Sequence, residues 1–86
     1  MFKIELTKNA EKFFLKLWKS HPEMARRVAN ALEQIAKDPE IGTPLKAQFK
    51  GLYKYRVGTY RIIYQICRSQ LIVTVIDIGH RKEIYR

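Results

Sequence analysis

The sequence contains a single cysteine, Cys67, so an internal disulfide is impossible. A lone cysteine in a predicted strand matches no metal motif, and we interpret it as a small core residue. The longest apolar run, Leu71–Ile78, is interrupted by Thr74 and Asp77 and is far too short to cross a bilayer. We expect no signal peptide, because Lys16 interrupts the first apolar stretch. These absences predict a cytoplasmic protein with no membrane partner.

Acidic residues are scarce in the second half of the chain. Residues 1–45 carry eight Lys or Arg and six Asp or Glu, whereas residues 46–86 carry nine Lys or Arg but only Asp77 and Glu83. Most of the net charge of +9 therefore lies in the second half. Such an asymmetry indicates a polyanionic partner, namely RNA, DNA, an anionic membrane or an acidic protein, and charge alone does not choose among them.

Four common kinds of active site are also missing. The sequence has no glycine-rich phosphate loop, no paired catalytic carboxylates, no metal-ligand spacing and no nucleophilic Ser or Cys motif. We therefore expect neither a metal nor a cofactor. Metal-free cleavage of RNA needs only a base for the 2′-hydroxyl proton, cations for the phosphate oxygens and an acid for the leaving 5′-oxygen.

We expect residues 1–86 to form one small domain. Its first half is predicted to form a strand and two helices. Phe2–Leu6 alternates as a strand does, and Thr7 is a suitable N-cap for the next helix. Ser20 and Glu23 fit a capping box that begins a second helix, ending near Lys37. We take the apolar stripe of the first helix as core: Ala10, Phe13, Phe14, Leu17 and Trp18.

The second half predicts a loop over residues 38–44 and then three strands, Tyr53–Val57, Tyr60–Cys67 and Leu71–Ile78. The last strand is the most apolar, and we expect it to be central in the sheet. The predicted fold class is therefore α+β. It has an N-terminal strand, an antiparallel helical hairpin and a three-stranded antiparallel meander that forms one small sheet.

A cluster of cations is predicted on the hairpin between residues 53 and 67. A type II′ turn at Gly58-Thr59 places Arg56 opposite Arg61. Tyr53, Tyr55, Ile62 and Tyr64 then share one face, and Lys54, Arg56 and Arg61 share the other. Like charges opposite each other are destabilising, so a folded domain tolerates the cluster most easily if it binds an anion. The alternative is that edge-strand cations only prevent aggregation.

The register of the last strand decides which residues join these cations. A three-residue loop puts Asp77 opposite Arg61 and carries Arg81 to the cations, whereas a two-residue loop brings His80 there. We favour the first because opposite charges then face each other. A bulge at Gly79 would reset the alternation. In every case residues 80–85 are expected beside the cations.

The candidate site consists of these cations and a tyrosine. The catalytic candidates are Lys54, Arg56, Arg61, His80, Arg81 and Tyr85, and the candidate RNA-binding residues are Lys46 and Lys50. Arg61 suits a phosphate because its planar fork can bind two oxygens. Lys54, beside two arginines, is a candidate base. His80 or Arg81 can supply the acid, and Tyr85 can stack on a base.

Two segments, LYKYRVGTYRIIYQI and IDIGHRKEIYR, resemble the RelE/ParE toxin superfamily, specifically its RelE-like mRNA-cleaving branch. The order of elements also resembles that family, so the likeness covers the whole chain. It implies the toxin of a type II toxin–antitoxin system, an endoribonuclease that cuts mRNA in the ribosomal A site. It further implies a cognate antitoxin that wraps the toxin, with operator DNA reached only through that complex.

The resemblance also implies roles for individual residues. By position, Lys54 and Arg56 are similar to the family's basic pair, where the base is sought, and Arg61 is similar to its phosphate-binding arginine. Arg81 is similar to the arginine that binds phosphate or protonates the leaving group. Tyr85 is similar to the tyrosine that orients or stacks on the cut nucleotide.

Two points of the resemblance stay open. Only some members have a histidine at the position of His80, so the acid is ambiguous. Other members use a glutamate before Pro-Leu as base, but Thr43-Pro44-Leu45 offers no carboxylate, which favours Lys54. The alternatives to an mRNA endonuclease are a ParE-like inhibitor of DNA gyrase, which is not an enzyme, and a catalytically inactive basic nucleic-acid-binding module.

Overall fold

The computed structural model describes residues 1–80, and its helices and strands follow the predicted order. They are β1 (Lys3–Leu6), α1 (Lys8–Ser20), α2 (Pro22–Lys37), β2 (Thr43–Pro44), β3 (Leu52–Val57), β4 (Tyr60–Cys67) and β5 (Ile72–His80). The strands form one sheet in the order β1-β5-β4-β3-β2. The predicted α+β architecture is confirmed, with β3, β4 and β5 as its antiparallel meander.

The first strand closes the sheet on one side. β1 pairs in parallel with β5, so that Lys3 lies opposite Ile72 and Leu6 opposite Val75. The apolar strand β5 therefore lies inside the sheet, between β1 and β4, although the middle position belongs to β4. The helices cover one face of the sheet, and the buried core between them includes Leu17, Val28, Leu32, Ile35, Ile62, Tyr64, Val73, Val75 and Ile78. Within residues 1–80, neither helix is long and apolar enough to span a membrane.

Helix α1 begins as predicted. The hydroxyl of Thr7 accepts a hydrogen bond from the N–H of Ala10 (3.3 Å), which satisfies one of the free amides of the first turn. Ala10 and Leu17 are buried. Trp18 is 38% exposed and packs its ring against Phe14 with centroids 6.0 Å apart, so it lies at the margin of the core rather than within it.

The predicted capping box at the start of α2 is wrong. Ser20 belongs to the last turn of α1, where its hydroxyl donates to the carbonyl of Lys16 (3.0 Å). His21 alone separates the helices, and its N–H donates to Leu17 O (2.7 Å). Because α1 continues to Ser20, that hydroxyl is not available to cap α2, which instead begins with Pro22 at its first position.

The segment predicted as a plain loop over residues 38–44 has more structure. It forms a 3-10 turn at Pro39–Ile41 and then β2, which pairs with Tyr53 and Lys54 of β3. The buried Tyr64 fixes this path, since its hydroxyl donates to Pro39 O (2.6 Å) and accepts from the N–H of Gly42 (3.0 Å). The core thus determines where β2 lies beside the hairpin.

Candidate functional site

The hairpin of β3 and β4 has the predicted register. Arg56 lies opposite Arg61, and the pairing runs without a shift from Leu52 to Val57. Gly58 has φ +61°, as the first central residue of a type II′ turn requires. The predicted aromatic and apolar set packs toward the helices: Tyr53, Tyr55, Ile62 and Tyr64. The opposite face of the hairpin is therefore the face of the cations.

We call Lys54, Arg56 and Arg61 together the cationic face. Arg61 is only 8% exposed, Lys54 is half-buried and Arg56 is exposed. Arg56 and Arg61 are direct cross-strand partners, which brings two guanidinium groups to one part of the sheet. Since arginine keeps its charge even when it is buried, this face suits an anionic ligand such as a phosphate.

The turn between β4 and β5 differs from the one that we favoured. The N–H of Leu71 donates to Arg68 O (3.4 Å), which closes a turn with two central residues. Cys67 consequently lies opposite Ile72. The three-residue loop is therefore wrong, and the two-residue alternative is right at this end of the strands.

A β-bulge in β5 changes the register farther along. It leaves Ile76 without a partner on β4 and brings Gly79 opposite Arg61, so the predicted pairing of Arg61 with Asp77 is wrong. The hydroxyl of Thr7 donates to Ile76 O (2.8 Å), 69 positions away in the sequence. The N-cap of α1 thus stabilises the bulge that decides which residue faces Arg61.

His80 ends β5 on the helix-facing side of the sheet. It lies opposite Tyr60, with ring centroids 5.7 Å apart in an edge-on contact, and Tyr60 packs against Phe13. The two-residue loop alone would have brought His80 to the cationic face, but the bulge reverses the alternation and leaves His80 on the other side. Its catalytic role stays a prediction. Arg81 and Tyr85 lie outside the described residues.

The two candidate RNA-binding lysines, Lys46 and Lys50, flank a 3-10 turn at Ala47–Phe49 between β2 and β3. Both side chains are exposed. The N–H of Leu45 donates to Leu52 O (2.9 Å), which holds the two ends of this segment together. Both lysines therefore lie near the start of β3, away from the hairpin turn.

The partner of Lys54 on β2 bears on the choice of base. Thr43 of β2 lies directly opposite Lys54, so a carboxylate at the Thr43 position would be a cross-strand neighbour of Lys54. A threonine there cannot take up a proton, and guanidinium groups stay protonated. Lys54 therefore stays the candidate base on the cationic face. In the part of the chain that the structure describes, no group of three His, Cys, Asp or Glu side chains could hold a metal ion.

The sequence analysis missed a contribution from α2. Arg27, Asn30 and Gln34 line a groove that also includes Arg56. Their i, i+3, i+7 spacing places them on one helical face and is visible in the sequence. Nothing in the sequence shows that this face borders β3, because that contact depends on how the helices cross the sheet.

Comparison with known proteins shows the family to which this chain belongs. The sequence pattern of the family described as ParE toxin of type II toxin-antitoxin system, parDE, matches residues 4–85. The chain belongs to the RelE/ParE toxin superfamily. Toxin RelG of Mycobacterium tuberculosis is 33% identical over 64 residues, which are 73% of this chain and 74% of RelG. The RelE/ParE resemblance of the two segments is confirmed, and the chain is a toxin of the type II toxin–antitoxin class.

Solved structures agree with the RelE/ParE fold. A chain of the RelBE2 toxin-antitoxin complex of Mycobacterium tuberculosis is 27% identical, with a TM-score of 0.80 over 93% of this chain and 98% of that one. The YoeB/ParE toxin of Agrobacterium tumefaciens (18% identity) has a TM-score of 0.84 over 92% and 98%, respectively. The isolated RelE toxin of E. coli (22% identity) has a TM-score of 0.79 over 99% and 92%.

Proposed function

We propose that this RelE/ParE toxin is a ribosome-dependent, metal-independent endonuclease that cuts mRNA in the cytoplasm. The cationic face carries the proposal, because the hairpin brings Lys54, Arg56 and Arg61 together on two adjacent strands. The described residues thus supply two of the three functions that metal-free RNA cleavage needs, namely cations for the phosphate and a candidate base. Similarity to toxin RelG favours the RelE-like side of the superfamily, which the resemblance of the two segments links to mRNA cleavage.

The arginines act on the scissile phosphate. Negative charge grows on its non-bridging oxygens as the 2′-oxygen approaches phosphorus. Arg61 is held within the sheet at 8% exposure. Its guanidinium can therefore bind the charged phosphate oxygens with little loss of side-chain conformational entropy. Arg56, its exposed cross-strand partner, adds a second cation from the edge of the hairpin.

Lys54 starts the reaction as the base. It lies two residues from Arg56 on β3 and therefore points to the same side of the sheet. Lys54 takes the 2′-hydroxyl proton, the 2′-oxygen bonds to phosphorus, and the bond from phosphorus to the 5′-oxygen breaks. The products are a 2′,3′-cyclic phosphate and a 5′-hydroxyl end.

The last groups in the proposal come from the C-terminal segment. Arg81 stabilises the charge on the scissile phosphate, the leaving 5′-oxygen takes up a proton from water, and Tyr85 stacks on the cut nucleotide. His80 is not well placed to be the acid, because it lies beside Tyr60 on the helix-facing side of the sheet. Lys46 and Lys50 bind the RNA backbone near the start of β3.

A cognate antitoxin is the proposed protein partner. Structures similar to this chain include the RelBE2 and RelBE toxin-antitoxin complexes of Mycobacterium tuberculosis and E. coli and the YoeB-YefM complex of Staphylococcus aureus. We propose that this chain is likewise blocked by an antitoxin encoded with it. Any contact with operator DNA then occurs through the antitoxin complex.

The proposal is tested by inducing the chain in cells and mapping new mRNA 5′ ends against codon position. The wild type should arrest growth and create ends at a fixed position within codons. Arg61→Ala should abolish both while circular dichroism still shows a folded protein. Arg26→Ala removes an exposed arginine from α2 and should behave as the wild type does. Full toxicity of a folded Arg61→Ala variant would refute the assignment of the site.

A second candidate function follows from the family pattern, which is described as ParE toxin. A ParE-like chain would inhibit DNA gyrase and leave messages intact. A supercoiling assay with purified gyrase separates the two functions, since inhibition at concentrations that leave mRNA uncut would favour the gyrase inhibitor. Salt-sensitive RNA binding with neither activity would favour the inactive binding module.

A further inference from the structure

A polar groove lies between α2 and the outer edge of β3, next to the hairpin turn. Its volume is about 330 Å³, within the range of ligand-binding clefts. The residues that give it its chemical character are Arg27, Asn30, Gln34, Tyr55, Arg56 and Gly58. The groove overlaps the cationic face at Arg56, whereas Lys54 and Arg61 do not line it.

The groove exists because β2 is very short. β2 pairs only with Tyr53 and Lys54, so within residues 1–80 no strand lies beside the outer edge of Tyr55–Val57. Helix α2 forms the other wall. The guanidinium of Arg27 reaches over the turn, since its Nη1 would lie 3.6 Å from a Cβ built on Gly58.

The chemistry of the lining fits a nucleotide. Arg27 and Arg56 are exposed cations, and no carboxylate lines this groove within the described part of the chain. The amides of Asn30 and Gln34 each offer a donor and an acceptor, which is what the edges of nucleobases require. Tyr55 adds a half-buried aromatic ring to the wall. An acidic peptide would pair with the two arginines but has no nucleobase to stack on Tyr55.

We propose that this groove binds the nucleotide of a single-stranded RNA that neighbours the scissile phosphate. The proposal rests on the proposed function, since the cationic face holds that phosphate. Arg56 lies at the boundary, on the cationic side of β3 by its alternation and in the wall of the groove. The RNA crosses the edge of β3 at Arg56, Arg27 binds the next phosphate, and Asn30 and Gln34 read the base. This subsite therefore contributes to the sequence preference of cleavage.

The proposed contact between Arg27 and a phosphate is tested with a matched pair of variants, Arg27→Ala and Arg26→Ala. These residues are adjacent on α2 and both exposed, but only Arg27 lines the groove. Binding of a fluorescein-labelled single-stranded heptaribonucleotide is measured by anisotropy over a range of salt concentrations. Arg27→Ala should weaken binding about fivefold and lower the log–log salt slope by about 0.7, the value for one lost phosphate contact on a single strand. Arg26→Ala should do neither.

The proposed recognition of the base by Asn30 and Gln34 is tested with the Asn30→Ala/Gln34→Ala double variant, which changes two exposed side chains. Mapped mRNA 5′ ends should show cleavage that continues with a relaxed base preference next to the cut. An unchanged preference would overturn the assignment of these amides.

Equal effects of Arg27→Ala and Arg26→Ala on RNA binding would overturn the phosphate contact. An Arg27→Ala variant that loses affinity for a polyglutamate peptide but not for RNA would overturn the nucleotide in favour of an acidic protein segment.

The two proposals fail in different ways. If the wild type cuts no mRNA yet binds RNA through Arg27 and not Arg26, the endonuclease proposal fails and the groove stands as a nucleotide site. If the wild type cuts mRNA while Arg27→Ala binds RNA as the wild type does, the groove proposal fails and the cationic face is unaffected.

Discussion

At the scale of single residues, Tyr64 connects the core to the site. Its side chain is fully buried, and its ring stacks on Tyr53 with centroids 5.5 Å apart. Its hydroxyl bonds to the backbone of Pro39 and Gly42, which holds the segment leading into β2. Because β2 lies beside Lys54, this one hydroxyl helps to position the proposed base.

Tyr64→Phe should lower the free energy of unfolding by about 1–3 kcal/mol. The substitution keeps the ring but leaves the buried N–H of Gly42 and the carbonyl of Pro39 without this partner. Urea denaturation at pH 7 measures the difference. Tyr60→Phe, at the half-buried ring beside His80, is the matched control and should cost less. Equal stability of Tyr64→Phe and the wild type would show that the hydroxyl has no structural role.

The buried hydroxyl of Tyr64 also makes the free energy of unfolding depend on pH. Burial raises the pKa of Tyr64 to about 12 from 10.0, so the folded state favours its neutral form. This stabilisation is complete below pH 10 and is lost as the pH rises toward 12. Relative to Tyr64→Phe, the wild type should therefore lose up to about 1.4 kcal/mol per pH unit between pH 10 and pH 12. A constant difference between the two proteins over that window would contradict the burial of the hydroxyl.

Gly42→Ala tests the close packing around that hydroxyl. A Cβ at position 42 would lie 2.2 Å from the hydroxyl oxygen of Tyr64 and 2.9 Å from the carbonyl of Lys54. The backbone of β2 and β3 would have to separate, so we expect a loss of about 1–3 kcal/mol in unfolding free energy. Chemical denaturation gives the value, and the double variant with Tyr64→Phe should cost less than the sum of the two single changes. Strict additivity would argue against the contact.

At the scale of elements, the two hairpins of the meander differ in how much the sequence reveals. The β3–β4 register follows from the turn at Gly58 and from local alternation, both of which lie within a dozen residues. The β4–β5 register does not, because a bulge at Ile76 interrupts the alternation. That bulge is held by Thr7, so the face on which His80 lies depends on a contact outside both strands.

Thr7→Val should lower the free energy of unfolding by about 1–2 kcal/mol, since it removes the N-cap of α1 and the hydrogen bond to Ile76. Thr7→Ser keeps the hydroxyl and should remain close to the wild type. Thermal or urea unfolding of the three proteins measures the order. If Thr7→Ser were destabilised as much as Thr7→Val, the hydroxyl would not be the group that matters.

At the scale of the whole molecule, the uneven charge accounts for the proposed RNA-binding surface. The net charge is +9, and five of the nine Lys and Arg residues of the second half lie on β3, on β4 and in the segment between β2 and β3: Lys46, Lys50, Lys54, Arg56 and Arg61. Composition alone predicted a polyanionic partner but not the surface. The groove beside α2 escaped prediction altogether, because Arg27 and Arg56 come together only when the helix packs on the sheet.

Lys46→Gln/Lys50→Gln should weaken binding of single-stranded RNA and reduce the log–log salt slope by about 1.4, the value for two lost phosphate contacts. Both lysines are exposed beside β3, so the fold should be unaffected. Lys12→Gln/Lys16→Gln makes the same charge change on exposed residues of α1 and serves as the control. If both double variants lost the same RNA affinity, binding would depend on the net charge of the protein and not on the position of these lysines.

The most direct measurement uses ribosomes programmed with a message that carries one 2′-deoxynucleotide at the mapped cut. The purified toxin should cleave the all-ribose message and leave a 2′,3′-cyclic phosphate, because the 2′-oxygen is the proposed nucleophile. It should not cleave the deoxy-substituted message at that position. Equal cleavage of both messages, or cleavage of neither, would contradict the proposal that the cationic face promotes attack by the 2′-hydroxyl.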